Sequence, residues 1–191
     1  MGIETKTAPI DRYRLVTRHN PHLFELCPNS PLTVGNGEFA FTADVTGLQT
    51  FPESYMGDGK TPLCTMSQWG WHSNPAPRDE QGREKKELKM EEWDVYGRKV
   101  GFASGKKGQE DVFNWLRENP HKMHLGRIGF KILLGNGERA SASDIGNIDQ
   151  ELDMWRGIIT SRFSVEGVPV TVKTCCHPSR DIIAVSVDSP L

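Results

Sequence analysis

At 191 residues the chain has the size of one domain, or of one domain with an appendage. Its 23 basic and 25 acidic residues are interspersed and sum to a net charge of −2, which offers no basic surface for nucleic acid or for an anionic membrane. No apolar run approaches the roughly 20 residues of a membrane span.

The opening residues, M-G-I-E-T-K-T-A-P-I, lack the apolar core of a secretory leader. Cys27, Cys64, Cys175 and Cys176 show no disulfide framework, and free thiols without a leader point towards the cytoplasm. Residues 1–12 read as a polar lead-in. Residues 13–18 alternate and suggest a first strand, which Asn20-Pro21 ends. Residues 32–34 and 39–43 form two further strands joined at Gly35-Asn36-Gly37, where positive φ is available. Phe39 and Phe41 share a face, and residues 48–51 supply a third strand after Gly47.

Residues 52–76 are irregular, with Gln68-Trp69-Gly70-Trp71-His72 among them. The charged stretch that follows makes residues 74–89 an exposed loop. Residues 90–96 and 99–103 flank Gly97-Arg98 as a hairpin. One short helix is expected over residues 111–118, stopped by Asn119-Pro120. Residues 128–134 alternate as a strand and end at a second G-N-G turn, Gly135-Asn136-Gly137; two such turns do not make a repeat. Residues 141–150 read as irregular.

The clearest segment is residues 158–187, three alternating runs separated by turn residues, as in an antiparallel meander. A two-residue turn at Glu166-Gly167 pairs Val165 with Val168, Phe163 with Val170, Ser161 with Val172 and Ile159 with Thr174. That register puts Ile159, Phe163, Val165, Val168, Val170 and Val172 on one face, and Thr160, Arg162, Thr171 and Lys173 on the other. A three-residue loop would shift the register by one and mix the faces. A sheet with one dry face requires a second layer, so the fold class is mainly β: an antiparallel β-sandwich with one short helix.

Two stretches, S-P-L-T-V-G-N-G-E-F-A-F-T-A-D-V-T-G-L-Q-T-F and L-D-M-W-R-G-I-I-T-S-R-F-S-V-E-G-V-P-V-T-V-K-T-C-C-H-P-S-R-D, together resemble the N-terminal super-sandwich of glycoside hydrolases and phosphorylases with an (α/α)6-barrel catalytic domain, such as glycoside hydrolase family 65. The resemblance implies a galactose-mutarotase-like super-sandwich, present in part, that forms a single N-terminal domain over residues 1–191. It implies that the catalytic residues belong to a C-terminal barrel of the same polypeptide, absent from this chain, and that this domain supports the barrel and edges its substrate site. The other readings are a free-standing carbohydrate-binding module and a structural domain that forms homo-oligomers.

Candidate carbohydrate-binding residues are Trp69 and Trp71, whose rings can stack on sugar C–H faces, with Gln68 and His72 as hydrogen-bonding neighbours. The alternative use of the two indoles is to plug the end of the sandwich. Asn36 and Glu38 are candidates at the first G-N-G turn. Glu38 and Asp44 would stand too far apart along a straight strand to act as a catalytic carboxylate pair. His121 and His124 with Cys175-Cys176-His177 do not form a metal site, because adjacent strand cysteines point apart. No phosphate loop or cofactor motif follows either G-N-G turn.

Overall fold

The structure is a computed structural model that describes residues 9–103 and 105–191; most of the expected lead-in, residues 1–8, lies outside the described residues. In chain order it contains helix α1 (Arg12–Thr17), strands β1 (His22–Leu23), β2 (Leu32–Gly35), β3 (Phe39–Ala43), β4 (Thr65–Ser67), β5 (Trp71–His72), β6 (Glu91–Val95) and β7 (Arg98–Phe102). Helix α2 (Glu110–Glu118) follows, then β8 (His121–Lys122), β9 (Ile145–Asp153), β10 (Ile158–Val165), β11 (Val168–Cys176) and β12 (Ile183–Asp188). All the strand pairings are antiparallel, so the chain is mainly β and sandwich-like. It divides into two compact units, one built from residues 9–67 and His124–Leu191, the other from Gln68–Met123.

The first unit holds a five-stranded sheet, β1-β9-β10-β11-β12, and a three-stranded sheet, β2-β3-β4. Hairpin β10–β11 turns at Glu166 and Gly167, with φ of +48° and +82°. Both central residues are left-handed, as the tight turn that follows strand twist demands. The register is the expected one: Val165 opposite Val168, Phe163 opposite Val170, Ser161 opposite Val172 and Ile159 opposite Thr174. Glu is a costly choice for positive φ, yet its carboxylate has a use here. Oε2 accepts the Gly135 N–H at 2.8 Å and ties the second G-N-G turn to this hairpin.

The two sheets share a core. Leu32 and Val34 of β2 and Phe39, Phe41 and Ala43 of β3 pack with Leu48 and Ile159. A second cluster joins Val45 and Phe51 to Ile145, Phe163, Val165, Val170 and Val172. Burying each large side chain such as Phe41 or Ile159 contributes about 1.5–3 kcal/mol. The polar face of β10 and β11, with Arg162 and Lys173 exposed, stays wet.

Several expected elements differ. Residues 13–18 are not a strand: Asp11 accepts the Arg14 N–H at 3.0 Å, an N-cap that starts α1 and overrides the weak alternation. Residues 48–51 do not form a strand either. The buried Asp44 carboxylate gathers that segment, with Oδ1 accepting Thr46 N–H (2.8 Å) and Thr46 O–H (2.6 Å) and Oδ2 accepting Phe51 N–H (2.8 Å). The third strand of the sheet is instead β4.

Residues 128–134 keep the expected alternation, with Phe130, Ile132 and Leu134 facing the second cluster, but they form no ladder beyond one bridge, Leu133 to Arg139. Gln49 N–H donates to Ile128 O at 2.8 Å, and a Cβ on Gly129 would lie 2.6 Å from Gln49 O, so this segment runs hard against the loop after Asp44. Residues 145–150, expected to be irregular, belong to β9. Their polar sequence hides a strand that also carries a register shift opposite Arg162 and Ser164 and a positive φ of +50° at Asn147.

The second unit contains the β5–β8 pair, hairpin β6–β7 and α2. Hairpin β6–β7 turns at Tyr96-Gly97, φ +52° and +75°, one residue before the expected Gly97-Arg98. Helix α2 begins one residue earlier than expected. Its end is fastened by Trp115 Nε1–H to Asn74 O at 2.9 Å and by Asn119, whose Nδ2–H donates to Trp115 O at 2.7 Å. With α1 this makes two α-helices among the described residues, where one was expected.

Candidate functional site

The stretch Gln68–His72 is shaped by its pairing with β8. Trp71 lies opposite Lys122 and His72 opposite His121. Two backbone contacts fold the approach: Trp71 N–H donates to Trp69 O at 3.1 Å around Gly70, and Met123 N–H donates to Gly70 O at 2.8 Å. Lys122 Nζ closes the segment from the side by donating to Gln68 O at 3.1 Å. The indoles are left at the surface, Trp69 63% and Trp71 50% exposed. Both rings are partly exposed rather than enclosed.

Strand alternation divides the neighbours of this pair. Trp71 and Lys122 share one face of the short ladder, whereas His72 and His121 share the other, their rings stacked at 5.0 Å and 22°. His72 therefore does not flank the Trp71 ring. Gln68 is exposed at the start of the segment and engages Lys122 through its backbone carbonyl. Lys122 was not a sequence candidate; it lies 51 positions from Trp71, and a two-residue strand has no periodicity to announce it.

Asn36 and Glu38 belong to the other unit. Asn36 fills every hydrogen-bonding position of its amide. Oδ1 accepts Glu38 N–H (3.0 Å) and Phe39 N–H (2.8 Å), and Nδ2 donates to His177 O (3.2 Å) and Arg180 O (3.1 Å). The side chain clips the β2–β3 turn to the connection between β11 and β12. Glu38 is exposed on the same turn. Asp44, six positions after Glu38, is fully buried and occupied by the Thr46 and Phe51 contacts. Burial pushes the Asp44 carboxyl above its ordinary range even though Thr46 and Phe51 donate to it. Burial likewise raises the Tyr55 phenol, with the Asp44 carboxylate adding to the effect.

The wet face of the five-stranded sheet carries a polar row that the sequence did not single out. His22 meets Asp149, whose second oxygen receives Arg162 Nη1 at 3.4 Å, and Asn20 Nδ2 donates to Glu151 Oε1 at 3.0 Å. His22 with Asp149 and Asn20 with Glu151 come together across 127 and 131 positions, through the β1–β9 pairing, whereas Arg162 and Asp149 are 13 apart on neighbouring β10 and β9.

Among the described residues no group of three or more His, Cys, Asp or Glu side chains is arranged to hold a metal ion. His124 Nδ1 accepts the Thr65 N–H at 3.0 Å, and His177 Nδ1 accepts the Ser179 N–H at 3.1 Å. Burial raises the Cys176 thiol, with Asp181 and Cys175 contributing. No helix among the described residues is long and apolar enough to cross a membrane. No family model, no curated protein and no solved structure matches the chain.

Proposed function

We propose that the chain is the β-sandwich portion of a carbohydrate-active enzyme, a glycoside hydrolase or phosphorylase whose catalytic residues lie in an (α/α)6 barrel of the same polypeptide. In this reading the sandwich is not catalytic by itself. It supports the barrel and contributes carbohydrate contacts through Trp69 and Trp71. Gln68, His72, Asn36 and Glu38 have lesser parts: Asn36 holds its turn rather than a ligand, and His72 faces away from the Trp71 ring.

One observation carries the proposal. The two stretches that resemble the super-sandwich in sequence supply the two facing layers of one core, β2–β3 on one side and β10–β11 on the other. Two exposed indoles one glycine apart add a surface suited to sugar rings. Reading the gene past codon 191 tests the enzyme assignment. Several hundred further residues of paired amphipathic helices with isolated Glu or Asp support it; a stop codon directly after Leu191 overturns it and leaves a free-standing binding module or a structural domain.

A further inference from the structure

Strand β12 is an open edge of the five-stranded sheet: β11 lies on one side of it and no described strand on the other. Its pairing with β11 fixes which backbone groups are left over. His177 N–H donates to Ile182 O at 2.8 Å, so the rung just before β12 is a hydrogen-bonded one. Such rungs alternate along an antiparallel ladder. In the same register the next ones are Cys175 with Ala184, Lys173 with Ser186 and Thr171 with Asp188. Ile183, Val185 and Val187 therefore aim their N–H and C=O groups away from β11, and none of the described residues bonds to them. Their side chains fall on the dry face, opposite Cys176, Thr174 and Val172, yet Val185 is 38% and Val187 52% exposed.

Sheet edges are ordinarily blunted by shortness, by Lys or Pro, or by a bulge. The opposite edge, β1, is only two residues long. β12 has six residues, I-A-V-S-V-D, in unbroken register with β11 and without Lys or Pro. Backbone groups that point sideways from a strand are satisfied by another strand, and this strand is complementary to itself. We propose that the edge is an interface between two copies of the chain, β12 pairing antiparallel with β12 of the second copy about a two-fold axis at Val185. Val185 then faces Val185 of the second copy, while Ile183 and Val187 face the second copy's Val187 and Ile183. Each of these rungs forms two hydrogen bonds, so every outward group of Ile183, Val185 and Val187 gains a partner. The valines of both copies join in one strip on the dry face. Asp188, the only charge in β12, sits at an end of the ladder, and the two-fold keeps its two copies apart. The same residues serve on both sides, as an isologous contact requires. Two such strands make a small contact against the ~800 Å² per partner of a standard interface, so the dimer dissociates at ~10–100 μM. This inference is independent of the carbohydrate reading.

Sedimentation velocity of the whole chain from ~5 to ~500 μM, with amide hydrogen exchange followed by NMR at both ends of that range, tests it. The expected mass rises towards twice the 21.4 kDa of one chain. Over the same range the Ile183, Val185 and Val187 amides become protected ~fivefold or more, whereas those of Ala184 and Ser186, already bonded to β11, change less than ~twofold. Val185→Pro removes an outward donor without touching the β11 ladder, so the chain stays folded and the dimer weakens ~tenfold or more. A wild-type chain that stays monomeric at the highest concentration overturns the inference and leaves the edge to an extended segment of another kind. A dimer in which the three outward amides gain no protection overturns it too, as does one that a folded Val185→Pro variant still forms. Should that variant unfold, the exchange pattern of the wild type decides alone.

Discussion

Asn36→Ala is the most informative perturbation of the fold, because the four bonds it removes are all defined. Two acceptor contacts, to Glu38 and Phe39 N–H, shape the β2–β3 turn, and two donor contacts, to His177 and Arg180 O, tether that turn to the connection before β12. A net hydrogen bond contributes about 0.5–1.5 kcal/mol. The site is only half-buried, so water re-solvates part of what is exposed, and the expected total is about 2–3 kcal/mol. For a chain of this size that lowers the melting temperature by about 4–12 °C. Asn36→Asp separates the two halves of the clip. It keeps both acceptor contacts but presents an oxygen to two carbonyls, so it should also be destabilising, and less so at acidic pH, where the carboxyl can donate again. Urea unfolding followed by tryptophan fluorescence measures both. A loss below about 0.5 kcal/mol for Asn36→Ala would refute the clip and reopen a ligand role for the amide.

Four further substitutions, three at glycines and one at Asp44, have defined outcomes. Gly47→Ala, at φ +81° and with a new Cβ 3.0 Å from both Ser161 Oγ and Val172 Cγ1, should cost about 2–4 kcal/mol in the same assay. Gly129→Ala, whose Cβ would meet Gln49 O at 2.6 Å, should be at least as damaging, whereas Gly137→Ala has open space and only its φ of +85° to contend with, about 1 kcal/mol. Asp44 gives a pH signature. Its folded carboxyl is raised above the ordinary value of 3.8, so above that pH the folded state holds a proton that the unfolded state has lost. Its contribution to stability therefore falls as pH rises through this window. The stability of wild type minus that of Asp44→Asn should decline from pH 4 upward, and a flat or rising difference contradicts the assignment.

How much of this was legible in the sequence depended on how each element is held. The β10–β11 hairpin was readable to the residue, because a one-position slip would have turned Phe163 and Val172 outward, and only one register kept them together. β2 and β3 were readable for the same reason. Elements held by side chains rather than by periodicity were not. The loop after Asp44 looks like a strand in its apolar residues, but a buried carboxylate wraps the backbone around itself. β9 is polar and bulged, and its pairing depends on a partner that supplies the apolar pattern. Of the candidate residues, Trp69 and Trp71 are at the surface. The separation of His72 from Trp71 follows from strand alternation once β5 is known to exist. Lys122 and the polar row on the wet sheet face depend on pairings distant in sequence, which no local signal encodes.

The central claim is that this chain contacts carbohydrate through the Trp69–Trp71 segment. Isothermal titration of the chain against a panel of neutral oligosaccharides, with Trp69→Ala/Trp71→Ala as the control, tests it directly. The account predicts saturable binding of at least one oligosaccharide, weakened by about tenfold or more in the double variant while folding is retained. Equal affinity in wild type and variant, or no binding across the panel, would contradict it.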